Sequence, residues 1–168
     1  GDSVLVGLSG GPDSVCLLTV LNALKPEYCL TLSAVYVDHG LRPGETADEI
    51  DFCRDLCGAL NVAFAVRPVD VAAFAKAEKI SKQEAARELR YKAQEEVAVA
   101  IQATKIALGH QADDQAETVL MRLFRGSGPS GLSGIPPMRK HIIRPLIEIE
   151  RRDIERFLEQ EGIGSILD

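Results

Sequence analysis

Two groups of residues in this sequence have the types and spacing for chemistry. The first is Ser9-Gly10-Gly11-Pro12-Asp13-Ser14, which stands between an apolar run and the start of a helical pattern. Glycines there let the backbone turn tightly and approach a ligand, the N–H groups of a helix start attract an anion, and two serines add hydroxyls. A plain strand-to-helix turn capped by Asp13 or Ser14 is the bland alternative. A Walker-type phosphate loop is excluded, because no Lys follows the second glycine. The second group is Gly109-His110-Gln111-Ala112-Asp113-Asp114-Gln115-Ala116-Glu117-Thr118. Asp114 and Glu117 are i, i+3 neighbours, so two carboxylates share one helix patch, suited to an ammonium ligand. Acid in a first helical turn also favours the helix dipole, and that accounts for Asp113 without any ligand.

Charge is unevenly spread. From Thr118 to Ile147 the segment holds Arg122, Arg125, Arg139, Lys140 and Arg144 and no acid, a net of +5 within a chain of formal charge -6, leaving -11 elsewhere. A basic strip on an acidic chain is what one face meeting phosphate requires, whereas a protein binding nucleic acid over its whole surface would be basic throughout. His39 and His110 each follow an apolar run, and Arg87 and Arg90 lie one turn apart, with ion pairing to Glu84 or Glu88 as their default.

These groups need a scaffold. Val4–Leu8, Leu30–Val37, Val62–Val66 and Lys105–Gly109 read as buried strands, and helices are expected over Ser14–Leu24, from a Thr46/Glu49 capping box to Leu60, after a Ser81/Glu84 box, over Asp113–Arg125 and over Arg152–Glu161. On the Asp113–Arg125 helix, Ala116, Val119, Leu120 and Leu123 should face the core, opposite Asp114, Thr118, Arg122 and Arg125. Alternating strands and helices predict an α/β, doubly wound, mostly parallel sheet with helices on both faces, its ligands beyond the carboxyl ends of the strands. The 168 residues suit one domain. No apolar run is long enough to cross a membrane as a helix. The four cysteines form no CxxC and sit in apolar segments, which argues buried thiols in a cytoplasmic protein and against a disulfide framework or zinc site.

The hexapeptide resembles the PP-loop signature of the N-type ATP pyrophosphatases, which split ATP between its α and β phosphates. Val37-Asp38-His39-Gly40-Leu41-Arg42, Ala86-Arg87-Glu88-Leu89-Arg90-Tyr91, the Gly109–Thr118 segment and Arg122-Leu123-Phe124-Arg125-Gly126-Ser127-Gly128, in that order, are similar to the tRNA(Ile)-lysidine synthases within that superfamily. Position 111 departs from the family pattern, holding Gln where a second His is common. Family members also continue beyond the equivalent of Asp168, so a catalytic-domain fragment covering 1–168 is expected.

The resemblance implies ATP-dependent ligation of free L-lysine to C2 of the wobble cytidine of a tRNA(Ile) precursor with a CAU anticodon. Its two steps are adenylation of the cytidine C2 oxygen with loss of pyrophosphate, then attack by the lysine amine with loss of AMP. It implies Asp13, Asp38, Asp114 and Glu117 as catalytic residues. Ser9, Gly10, Gly11, Asp13, Ser14, Arg90, Gly109 and His110 would bind ATP, and Asp114 and Glu117 would bind lysine. Magnesium is expected beside Asp13, and tRNA on Arg122, Arg125, Arg139, Lys140 and Arg144. A different PP-loop adenylating enzyme (a tRNA thiolase or an amide synthetase) and a non-catalytic nucleotide-binding module stand as alternatives. No membrane contact is expected, and a homodimer is left open.

Overall fold

A computed structural model describes residues 1–40, 43–126 and 133–166. Within them the chain runs β1 (Ser3–Gly7), α1 (Pro12–Ala23), α2 (Lys25–Tyr28), β2 (Thr31–Asp38), α3 (Pro43–Ala59), β3 (Ala63–Pro68), α4 (Val71–Glu78), α5 (Lys82–Ala100), β4 (Lys105–Ala107), α6 (Ala112–Phe124), β5 (Met138–Arg139), β6 (Ile142–Ile143) and α7 (Arg151–Glu161). The strands form one sheet in the order β3-β2-β1-β4-β6-β5. All pairings are parallel except that of the edge strand β5 with β6. Chain order runs outward from β1 to β2 and β3 on one side and to β4 on the other. The crevice of a doubly wound sheet therefore opens at the carboxyl ends of β1 and β4.

The period of two along the strands decides which face each residue feeds. Val4 and Val6 of β1 with Ala34 and Tyr36 of β2 pack against Leu17 and Leu18 of α1, Cys53 and Cys57 of α3, and Ile154 and Leu158 of α7. The alternate residues Leu5, Val35 and Val37 pack with Ile106 against Ala93 and Val97 of α5. Helices thus cover both faces, as the alternation of elements requires. A small satellite core of Val71, Ala75 and Ala85 joins α4 to α5.

Four local expectations are corrected. Helix α3 begins at Pro43, which puts Thr46 inside it, and Glu49 accepts a hydrogen bond from the Tyr36 hydroxyl instead of closing a capping box. Helix α4 was not anticipated; its start is set by Asp70, whose carboxylate accepts from the Ala73 N–H at 2.8 Å. Ser81 does cap α5, accepting from Glu84 N–H at 3.1 Å. Of the four cysteines, Cys16, Cys53 and Cys57 are buried, whereas Cys29 is exposed at the left-handed end of α2.

The fourth correction concerns α6, which buries no residue. Ala116, Leu120 and Leu123, expected in the core, are exposed, and Asp114, Thr118 and Arg122 are the half-buried side. The polar stripe turns inward because its side chains have polar partners there, described below.

Leu17, fully buried between the sheet and α7, anchors the helix that carries the Ser9–Ser14 turn. Leu17→Ala should lower unfolding free energy by about 2–5 kcal/mol in urea titrations, the usual cost of a large-to-small core change.

Candidate active site

The carboxyl ends of β1, β2 and β4, the first turn of α1, and parts of α5, α6 and the β5–β6 hairpin line one open cleft of about 1510 Å³. Its floor is the Ser9–Ser14 loop. Gly10 has φ +85°, and its carbonyl accepts from Ile166 N–H at 2.9 Å. Gly11 is the N-cap of α1, which has Pro12 in its first turn and no side-chain cap, so the bland reading with Asp13 or Ser14 as cap fails. Ser14 works within the loop: its hydroxyl donates to Gly11 O at 3.0 Å, accepts from Ser9 N–H at 3.1 Å and lies 3.2 Å from Ser9 Oγ. At Gly109 a Cβ would stand 3.1 Å from the backbone of Asp13 and Ser14, so the end of β4 lies directly on the loop. A methyl on Gly11 would meet only Ser9 Oγ, at 3.6 Å.

Asp13 lines the cleft with a buried Oδ1 that has no hydrogen-bond partner. Burial raises its pKa above the ordinary 3.8; Arg151, at the start of α7, opposes that rise, and Asp114 and Asp113 add to it. Such an oxygen is suited to a cation. Among the described residues no group of three or more His, Cys, Asp or Glu could hold a metal ion. A magnesium ion held by one carboxylate plus substrate phosphates and water fits that arrangement.

Two of the three histidines, His39 and His110, have lowered pKa values. Burial, then the nearby Arg144 charge, pushes His110 down to about 4, and burial with Arg90 lowers His39. The Nδ1 atom of each is buried without a partner. Arg87 and Arg90 make no ion pair with Glu84 or Glu88; their guanidinium carbons lie 5.4 and 5.9 Å from the Tyr91 ring centroid. Arg90 is half-buried in the cleft wall, where its charge is suited to an anion.

On α6, the Asp114 carboxylate accepts from Gln111 N–H at 2.8 Å, and Gln111 Oε1 accepts from Asp113 N–H at 2.7 Å. Gln111 is thus the cap of α6, which gives the departure at position 111 a structural use. Asp114 and Glu117 both line the cleft. Asp38, expected to be catalytic, is not among the lining residues; it accepts from Gly40 N–H at 2.8 Å and shapes the turn after β2. The basic strip divides. Arg139 and Lys140 are exposed on the hairpin at the cleft rim, and Arg125 is exposed outside it. Arg144, expected on the strip, is only 5% exposed and donates to Pro136 O at 2.8 Å, so it is a wall of the cleft and not a surface cation.

Sequence reading missed Arg151, the Tyr36–Glu49 contact and the pair of His141 with Glu95 at 2.8 Å, all in the cleft lining. The two pairs join residues distant in sequence, and Arg151 reaches the cleft only through the packing of α7, so no spacing announces them.

Two results are expected from the loop. Gly11 has φ -68° and ψ 159°, open to any residue, so Gly11→Ala should change stability by less than about 0.5 kcal/mol. It should nonetheless weaken ATP binding by about 1–3 kcal/mol in calorimetry. Ser14→Ala should lose both affinity and about 1–2 kcal/mol of stability, because it releases the loop. Asp13 has a raised folded-state pKa, so stability present below the ordinary value is lost as pH rises through the raised one. Asp13→Asn should therefore raise Tm at pH 7 by roughly 1–3 °C, with the gain shrinking toward pH 3.8. Activity of that variant should collapse.

Comparison with known proteins agrees with this geometry. A PP-loop domain model matches residues 1–168. The chain is 44% identical over 169 residues to the tRNA(Ile)-lysidine synthase of Clostridium acetobutylicum, covering 99% of this chain and 36% of that protein. It is 42% identical over 167 residues to the tRNA(Ile)-lysidine synthase of Thermosipho africanus, covering 99% and 39%. The chain therefore spans little more than a third of these relatives. Among solved structures, the U34-tRNA thiolase NcsA from Methanococcus maripaludis with its 4Fe-4S cluster superposes with a TM-score of 0.81 at 22% identity, over 98% of this chain and 59% of that one. That likeness shows the shared fold. With the loop, the sheet order and the matched residues in agreement, the chain belongs to the PP-loop domain family.

Proposed function

We propose that this domain catalyses ATP-dependent ligation of L-lysine to C2 of the wobble cytidine of a CAU-anticodon tRNA(Ile) precursor. The observation that carries the reading is one cleft lined by both the anion-suited loop with the partnerless Asp13 oxygen and the Asp114/Glu117 pair. The relatives named above support the same reading. In the first step the cytidine C2 oxygen attacks the α-phosphate of ATP, and pyrophosphate leaves over the loop amides and Gly11. Arg90 and the uncapped start of α1 offset charge on the phosphates as that bond breaks. Asp13 would hold magnesium, which supplies further neutralisation on the triphosphate.

In the second step the lysine amine attacks C2 and AMP leaves. An amine of pKa about 10.4 must lose a proton first, which at neutral pH costs roughly 4–5 kcal/mol. Glu117, exposed in the cleft, is the freer base; Asp114, with one oxygen committed to Gln111 N–H, orients the ammonium. The exposed Arg139 and Lys140 would meet tRNA phosphates at the rim. A thiolase reading has no comparable support. Burial holds the thiols of Cys16 and Cys57 up to about 11 and that of Cys53 up to about 12, far from the thiolate needed for sulfur chemistry.

The test is pyrophosphate release by the full-length protein with tRNA and lysine each added or withheld. Release that needs tRNA, and lysidine that needs lysine as well, is expected. Asp114→Asn keeps the helix cap and Glu117→Gln keeps shape. Each should raise the lysine KM by about tenfold or more while pyrophosphate release persists. Loss of ATP binding in these variants, with lysine dependence intact, would move the carboxylates to the metal site.

A further inference from the structure

Residues 133–137 belong to no strand or helix, and Ser133, Gly134, Ile135 and Pro136 among them form a wall of the cleft; Pro136 and Pro137 have no N–H to give a ladder. Apart from the Arg144 N–H on Pro137 O at 2.8 Å, side chains hold this segment. Three consecutive carbonyls are each bound by one: Gly134 O accepts from Arg122 at 3.2 Å, Ile135 O from Gln115 Nε2 at 2.8 Å, and Pro136 O from Arg144 at 2.8 Å. The Ile135 N–H also donates to Gln115 Oε1 at 2.6 Å. Gln115 therefore makes with Ile135 the pair of bonds that a neighbouring strand would make. A primary amide alone carries the donor and acceptor for this at that length; Glu lacks the donor and Asn is a methylene short. Gly134 fits the same device twice over. Its φ of +70° disfavours a side chain, and a Cβ there would stand 2.4 Å from Gln115 Oε1.

Gln115 is not among the cleft-lining residues, although its helix neighbours Asp114, Glu117 and Thr118 are. We propose that Gln115 is a positioning residue whose clamp on Ile135 holds the 133–137 wall against α6, and that this wall serves the amine-transfer step and not ATP binding. The inference rests on the reaction proposed above. The Ser9–Ser14 loop hangs from β1, β4 and α1, and among the described residues its hydrogen bonds run within the loop, to Val15 and to Ile166, not to the 133–137 segment. A released wall should widen the space around the carboxylates and admit water. Water then replaces the amine: its oxygen bonds to C2, the bond from C2 to the adenylated oxygen breaks, AMP leaves with that oxygen, and two protons pass to solvent. Cytidine is regenerated and ATP is spent without product.

The experiment uses the full-length protein with tRNA transcript, ATP and lysine. Gln115→Ala should raise the lysine KM by about tenfold, increase the ratio of AMP to lysidine, and leave the ATP KM within about twofold. The Ile135 amide should lose protection in hydrogen exchange. Gly134→Ala should reproduce these effects in the wild-type background, and should add less in the Gln115→Ala background, where the clash is gone and only the backbone strain at φ +70° remains. An exposed Ile135 amide with unchanged lysine KM and coupling would overturn the proposal, as would an equal loss in ATP and lysine. Wild-type protein that makes no lysidine would overturn the reaction itself and this inference with it; normal wild-type synthesis beside an unaffected variant overturns the clamp alone.

Discussion

The end of β4 touches the first turn of α1 with backbone against backbone, and Gly109 makes that approach possible. The contact follows from sheet order. Because β1 and β4 are neighbours while their following helices depart separately, the two strand ends and the helix start converge, and the cleft opens above them. The loop geometry depends on this convergence. Ser14 holds Ser9 and Gly11 from within, the end of β4 supports the loop from the side, and Gly10 is tied to Ile166 from the far end of the described chain. The loop is thereby attached to the most deeply packed part of the molecule.

Charge placement follows the same division. The acidic balance of the chain does not reach the cleft unopposed, since Arg90, Arg144 and Arg151 stand in its wall. Burial, reinforced by the Arg144 and Arg90 charges, holds the His110 and His39 imidazoles below the usual histidine range. Two imidazoles with lowered pKa add little positive charge to the cleft, and each keeps a buried Nδ1 without a partner.

The fold was legible because its signals are local and repeated. Apolar runs such as Val4–Leu8, with helical periodicity between them, are enough for a doubly wound sheet, and the switch point follows from that topology. The loop and the Asp114/Glu117 patch were legible from turn chemistry and i, i+3 spacing. Spacing was silent where a side chain had two possible employers. Glu49 serves Tyr36 and not a cap, Asp38 serves Gly40, and Arg144 serves Pro136, choices made by partners far away in sequence. Helix α6 misled for a related reason: its apolar stripe has the stronger periodicity, but its polar stripe has the hydrogen-bond partners.

That helix has a consequence for how such a domain can change over generations. A helix with no buried residue contributes little to the common core, so substitutions on it are felt locally. Glu117 and Thr118 can be exchanged at small folding cost, whereas the same liberty in α1 would disturb Val15, Leu17 and Leu18 at the centre. The architecture thus separates a loop anchored in the core from a cleft wall that is not. Substitutions on α6 can be made while the loop beneath it stays folded.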